Sequence, residues 1–105
     1  MTRPIVTVFR SRLRDDAPPG YEETAAAMEA RARRAPGFVD FKAFVADDGE
    51  RFSLITFASR AAHDAWRDDP EHLDAQRRGR RDWYATYRIQ VCELTAERIF
   101  PEPAP

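Results

Sequence analysis

Hydrophobic and polar residues alternate near the start of the chain in a way that leaves neither face polar. Residues 4–14 read PIVTVFRSRLR, with Ile5 and Phe9 on one side of an extended chain and Val6 and Val8 on the other. Because successive side chains of a strand point to opposite faces of its sheet, this pattern predicts a strand that is covered on both faces. The following DDAPPG, rich in turn residues, ends it.

A helix follows, and its apolar side is narrow. The apolar positions fall at Tyr21, Ala25, Met28, Ala32 and Ala35. This spacing places them in one stripe along a helix rich in alanine and glutamate. Pro36 and Gly37 then predict its end, because proline cannot continue a helix and glycine favours the C-terminal cap.

Two strands joined by a tight turn are predicted for residues 38–58, where Asp48-Gly49 is a common hairpin signal. Here too the alternation leaves both faces apolar. In the second strand Leu54 opposes Ile55 and Phe57. In the first strand, strict alternation predicts two groups on opposite faces, Phe38 and Phe44 against Val39, Phe41 and Val45.

Capping residues mark further helical segments before a last strand. Ser59 is suited to cap a short helix that runs through Trp66. Asp69 followed by Pro70 is suited to start another, because proline fits the first helical position. Alternation then predicts a final strand over residues 84–95.

The order of elements is β-α-β-β-α-β, which predicts an α+β, ferredoxin-like fold with an antiparallel sheet. One domain is expected over residues 1–98, with a flexible tail at 99–105. Two helices cover only one face of such a sheet, yet these strands are apolar on both faces. A second copy of the chain, a small-molecule pocket, or both together are therefore expected to cover the rest.

Composition narrows the choice of partners. Lys plus Arg (17) nearly balances Asp plus Glu (18), so no strong overall field attracts nucleic acid or a membrane surface. The single cysteine cannot form an internal disulfide, and no Cys/His cluster has zinc-site spacing, so no metal is expected. No apolar run is long enough for a secretory signal or a membrane span, which favours a cytoplasmic protein.

Four segments carry a resemblance to a known family. They are IVTVFRSRL in the first strand, APGFVDFKAF after the first helix, FSLITFAS followed by AAHDAW, and PEHLDAQRRGRRDWYATYRIQVCEL. With them, residues 4–95 resemble the antibiotic biosynthesis monooxygenase domain family, whose members are small dimeric α+β barrels. The resemblance implies a homodimer with its sheets packed face to face and, in each subunit, a pocket between the sheet and the helices.

The activity that the resemblance implies is oxygenation without flavin, metal or haem. The family's characterised oxygenases admit an aromatic or quinol-type substrate and molecular oxygen. A base or a hydrogen bond favours the substrate anion, which is electron-rich enough to pass an electron to oxygen. A cofactor-independent monooxygenase acting on a small aromatic compound is therefore implied. A binding or regulatory homodimer that only holds a ligand in the same pocket is the alternative.

Candidate site residues lie in and after the second helical region. Trp66 stands where the family's oxygenases carry a pocket tryptophan. Four further residues have a spacing that puts them on one helical face: His72, Gln76, Arg80 and Trp83. A polar stripe of this kind faces either water or a wet cavity.

Catalytic roles are expected for His72 and Arg80. Imidazole titrates near neutral pH, so His72 is the expected base or hydrogen-bonding group, with a first-turn histidine bonded to nearby backbone as the alternative. Arg80 is expected to stabilise an anionic intermediate. The residues expected to contact substrate are Trp66, Gln76, Trp83 and Tyr87, the last packing inward with its hydroxyl bonded.

Three other observations bear on the assignment. His63, beside Asp64, is expected at the surface, and Cys92, in mid-strand, is expected to be a small buried residue. Haem-degrading relatives place their ligating histidine where this chain has Gln76, and glutamine is a poor iron ligand, so haem degradation is not expected. The chain contains no asparagine, so it lacks the residue with which aromatic-polyketide oxygenases position substrate.

Overall fold

A computed structural model describes residues 2–103 and confirms the α+β, ferredoxin-like arrangement. The elements, in order, are β1 (Ile5–Leu13), α1 (Tyr21–Arg34), β2 (Phe38–Val45), β3 (Arg51–Phe57), α2 (Arg60–Arg67), α3 (Pro70–Arg78), a π-helical turn (Gly79–Trp83) and β4 (Tyr84–Glu93). The strands form one sheet in the order β2-β3-β1-β4, and neighbouring strands are antiparallel. The predicted second helical region is thus two α-helices and a π turn.

The caps of α2 and α3 form as predicted. The Ser59 hydroxyl accepts a hydrogen bond from the Ala62 N–H at 3.2 Å. The Asp69 carboxylate accepts one from the His72 N–H at 3.1 Å. Asp69 also accepts hydrogen bonds of 2.8 and 2.9 Å from Arg31, which outweigh the effect of desolvation and lower its pKa to about 2. The residue that caps α3 therefore also fixes that helix to α1.

A β-bulge at the start of β2 changes which face of the sheet the following side chains point to. Phe38 pairs with Phe57, and the register shifts before Asp40. The extra residue returns Phe41 to the side of Phe38, and both pack against the core. The prediction that these two phenylalanines lie on opposite faces is wrong, because the bulge interrupts the period of two on which it depended.

The core forms between the helices and one face of the sheet. Ala32 of α1, Phe57 of β3 and Trp66 of α2 are buried at its centre. Gly37 joins α1 to β2 with φ of +82°, and a Cβ there would lie 2.5 Å from the Ala62 Cβ. Only glycine allows the chain to pass this close to α2 in that conformation.

The other face of the sheet, here called the open face, carries apolar side chains from all four strands. They are Val6, Val8, Phe44, Phe52, Leu54 and Cys92, which the strand register places on one side. Phe44 is 47% exposed and stacks on Phe52 at 5.1 Å between ring centroids. Cys92 is exposed in the single chain, contrary to the expectation of burial, because the helices pack against the opposite face.

Candidate active site

A cavity of about 470 Å³ lies between the helix side of the sheet and the helices. Its walls are largely aromatic, and the rings come from strands, helices and the π turn: Phe9, Tyr21, Phe41, Phe57, Trp66, Trp83 and Tyr84. Cavities of this size with apolar walls are typical of small-molecule sites. The space left between sheet and helices is therefore large enough for an aromatic ligand of one to a few rings.

Polar side chains line the cavity where α2 ends and α3 begins. They are His63, Arg67, Asp68, His72 and Gln76. The charged and imidazole groups of the cavity are thus gathered at this helical corner, while the sheet side is mainly apolar and adds the hydroxyls of Thr7 and Ser53. A ligand with a ring system and a hydroxyl or carbonyl group would match both parts.

His72 is held against Trp66 at this corner. The two rings stack with centroids 4.3 Å apart and an interplanar angle of 17°. His72 Nδ1 lies 3.1 Å from the Trp66 carbonyl oxygen. Because a carbonyl only accepts, Nδ1 carries the proton and Nε2 is left as the acceptor. Burial lowers the pKa of His72, so its imidazole is neutral at pH 7.

His63 also lines the cavity, and its side chain is buried. The residue is 5% exposed, and its Nδ1 lies 2.8 Å from Asp64 Oδ1. The expectation of a surface position is wrong because His63 shares the inner side of α2 with Trp66, three residues later. The charged neighbour Asp64 pointed to an exposed residue, although consecutive helical residues face different directions.

Tyr84 is a further wall residue that the sequence did not single out. Its ring meets that of Tyr21 edge-on at 5.8 Å. Burial, reinforced by Tyr21, raises the pKa of Tyr84, so the phenol keeps its proton. A Cβ at Gly79 would overlap the Tyr84 ring, so the ring occupies this wall because position 79 is glycine. This close approach depends on the π turn, which the spacing of residues did not predict.

A family model for antibiotic biosynthesis monooxygenases matches residues 4–78. The chain belongs to the antibiotic biosynthesis monooxygenase family.

Individual proteins and structures are also similar to this chain. The uncharacterized protein YqjZ of Bacillus subtilis is 31% identical over 99 residues, which are 94% of this chain and 87% of YqjZ. The structure of Rv0793 from Mycobacterium tuberculosis has a TM-score of 0.79 at 22% identity and covers 90% of this chain and 97% of its own. SnoaB, a cofactor-independent oxygenase from Streptomyces nogalater, has a TM-score of 0.74 at 22% identity, with 95% and 99% covered. At these identities the two structures show a shared fold.

This family member brings four of the six candidate residues to the cavity. They are Trp66, His72, Gln76 and Trp83. Arg80 is exposed outside the lining, and its Nη1 donates to the Tyr87 hydroxyl at 3.5 Å. Tyr87 pairs with Ser11 on the helix side of the sheet and stacks on Phe9 at 5.7 Å, but it is 40% exposed and lies outside the lining. The single helical face expected for the stripe ends at Arg78, where the π turn changes the angle between residues.

Two further findings concern the kinds of site that the described residues hold. None of the helices in residues 2–103 is both long and apolar enough to cross a membrane. Within the same residues, no three His, Cys, Asp or Glu side chains come together as ligands for a metal ion.

The lowered pKa of His72 predicts a pH-dependent stability. The unfolded histidine titrates near 6.5, and the folded one below it, so the unfolded state binds more protons in this range. The contribution of His72 is fully present above pH 6.5 and is lost as the pH falls through the folded pKa. Urea unfolding at about pH 7.5 and about pH 5.5 should therefore show a smaller pH-dependent loss of stability for His72→Leu than for the wild type. Equal losses in both proteins would contradict the assignment.

Proposed function

We propose that the protein is a homodimeric, cofactor-independent monooxygenase acting on a small aromatic compound of the phenol or quinol type. The observation that carries the proposal is the aromatic-walled cavity with the neutral imidazole of His72 at its polar corner. Membership of the monooxygenase family and the likeness to SnoaB, itself a cofactor-independent oxygenase, support it.

In the proposed reaction, a substrate hydroxyl donates a hydrogen bond to Nε2 of His72 while its ring lies against Trp66. Loss of the hydroxyl proton makes the ring electron-rich, and the anion passes an electron to molecular oxygen. One oxygen atom enters a ring carbon as a carbonyl, the substrate hydroxyl becomes the second carbonyl of a quinone, and the other oxygen atom leaves as water with the single hydrogen of that carbon and the proton lost from the hydroxyl. The substrate itself supplies every electron, and the protein contributes orientation, exclusion of water and stabilisation of the anion.

The cation that we expect to stabilise the substrate anion is Arg67. Arg67 lines the polar corner of the cavity, whereas Arg80, the arginine expected from the sequence, lies outside the lining. Nucleic acid and membranes have no part in the proposal, and its partners are a second copy of the chain, the aromatic compound and oxygen. A cytoplasmic location fits such a reaction.

Oxygen uptake tests the activity. The protein is incubated anaerobically with a panel of quinols and anthrones, oxygen is admitted, and uptake and product mass are followed. His72→Leu should lower kcat/KM about tenfold through KM, the size of one lost hydrogen bond to the substrate. Arg77→Gln is the matched control, because Arg77 lies exposed on the same helix and outside the lining.

Two outcomes would count against the activity. Ligand binding without oxygen uptake across the whole panel would favour a binding or regulatory role for the same cavity. A Soret shift on addition of haemin would favour haem degradation instead. An equal loss in His72→Leu and in Arg77→Gln would remove His72 from the proposed site.

The homodimer is proposed on the open face. Its central side chains are apolar, while both signs of charge lie towards its edges, as in the bidentate pair of Arg10 and Glu50 at 2.9 Å. A second copy presents the same mixture, and a two-fold axis can bring apolar centre against apolar centre. The partner that best complements the open face is therefore the open face of a second copy of the chain.

A further inference from the structure

His63 and Asp64 form a hydrogen-bonded pair at the wall of the cavity. We propose that His63, oriented by Asp64, is the base that removes the proton of the substrate hydroxyl, an inference that rests on the proposed function. The substrate O–H bond breaks, an N–H bond forms at His63 Nε2, and the electron pair stays on the substrate oxygen. His72 accepts the hydrogen bond of the neutral hydroxyl and so positions it, and the proton passes to His63 Nε2 when the hydroxyl ionises.

The first argument is the tautomer of His63. Its Nδ1 lies 2.8 Å from Asp64 Oδ1, so Nδ1 carries the proton and Nε2 accepts. The ring belongs to a residue that is 5% exposed and lines the cavity. A base must present an unprotonated nitrogen within reach of its substrate, and a buried ring held at its other nitrogen meets that requirement.

The second argument is the difference between the partners of the two histidines. His63 donates to a carboxylate, which stabilises the imidazolium that forms when a proton arrives. His72 donates to the neutral carbonyl of Trp66, and burial lowers its pKa. Two imidazoles at one cavity, one bonded to a carboxylate and the other to a neutral carbonyl, can divide the work between proton acceptance and hydrogen bonding.

Other charged and titratable groups also face the cavity near His63. They are Arg67 and Asp68 at the end of α2, His72 of α3, Tyr21 of α1 and Tyr84 of β4. Asp68 accepts hydrogen bonds from Arg67, which lower the pKa of its carboxylate and leave it ionised. Arg67 opposes a positive charge on His63, but its Nη1 is itself 3.4 Å from Asp64. Two carboxylates thus face one guanidinium around the ring.

Ionisation of a bound phenol tests the proposal without oxygen chemistry. Under anaerobic conditions 4-nitrophenol is added to the protein, and the absorbance band of its phenolate reports where the proton is. With the wild type, the bound phenol should ionise at a lower pH than in buffer. Asp64→Asn should raise the apparent pKa of the bound phenol by about one unit, which lowers the phenolate fraction about tenfold.

Further variants separate the two histidines. His63→Gln should abolish the phenolate band of the bound dye, whereas His72→Leu should weaken binding and leave the band of the bound fraction in place. Asp64→Asn keeps His63 and changes a partly exposed side chain, so the test stands even where His63→Gln fails to fold. Arg77→Gln should match the wild type throughout.

The results also separate this inference from the proposed function. A wild type that binds only the neutral phenol, or no phenol, would overturn the role of His63, as would a phenolate band that survives His63→Gln and disappears in His72→Leu. A phenolate that forms in the wild type but never leads to oxygen uptake would support His63 as a base and contradict the proposed oxygenase activity. Oxygen uptake with a pH profile that is unchanged in Asp64→Asn would support the oxygenase and contradict the role of His63 as its base.

Discussion

Replacing Trp66 with alanine is expected to lower the free energy of unfolding by about 3–5 kcal/mol. Trp66 is 7% exposed, packs on Phe57 with ring centroids 6.4 Å apart, and carries His72 on its other side. The substitution removes the largest side chain of a small core and enlarges an existing cavity, so little surrounding structure can collapse into the space. For a domain whose total stability is about 5–15 kcal/mol, the variant would be close to unfolding.

Urea unfolding of Trp66→Ala and Trp66→Phe measures this effect. The phenylalanine variant keeps an aromatic ring between Phe57 and His72 and should lose less stability. It should also retain the carbonyl that holds His72, since that group belongs to the main chain. An alanine variant within about 1 kcal/mol of the wild type would show that Trp66 lines the cavity without supporting the core.

Trp66 belongs both to the core and to the candidate site, which explains why the sequence alone cannot distinguish a core role from a pocket role. An aromatic residue at the end of an apolar helical stripe is typical of a core, and a family tryptophan at the same position is typical of a pocket. In the structure Trp66 is buried and lines the cavity at once. The cavity exists because the core stops short of the polar corner, where His63 and His72 take up the wall.

The strands and helices could be predicted because their signals are local. Ser59 and Asp69 cap the helices they were expected to cap, and the Asp48-Gly49 turn joins β2 to β3. Each of these depends on the chemistry of two or three neighbouring residues. The order of these elements predicted the ferredoxin-like topology, which the fold confirms, and the resemblance added the family, which the matching family model confirms.

The errors arose where the backbone departs from a regular period. The bulge in β2 moves Phe38 to the side of Phe41, and the π turn at Gly79 separates Arg80 from His72. Neither irregularity leaves a signal in the alternation of residues, because each breaks the regular period on which that alternation depends. His63 shows a third kind of error. Its exposure was predicted from the charged neighbour Asp64, whereas its burial follows from the face of the helix on which it lies.

Placing a charge at the centre of the open face is expected to separate the proposed homodimer. Leu54 pairs with Val8 in β1 and with Lys42 in β2, so it lies in the middle of the sheet. In a symmetric interface, Leu54→Asp introduces the carboxylate twice, once from each copy. Removing two carboxylates from water costs several kcal/mol even with Lys42 as the cross-strand neighbour of each, and the two carboxylates also repel each other. We expect the dimer dissociation constant to rise by at least about a thousandfold, which corresponds to about 4 kcal/mol.

Light scattering after size-exclusion chromatography, over a range of protein concentrations, measures this change. The wild type should have the mass of two chains and Leu54→Asp that of one, while circular dichroism confirms that the variant is folded. Ala30→Asp is the matched control, since it adds the same charge to an exposed position on α1, the helix on the opposite face, and should remain a dimer. A monomeric wild type, or a folded Leu54→Asp dimer, would show that the open face is not the contact between copies. The apolar side chains of that face would then require a different cover, since exposed patches of this kind usually mark an interaction site.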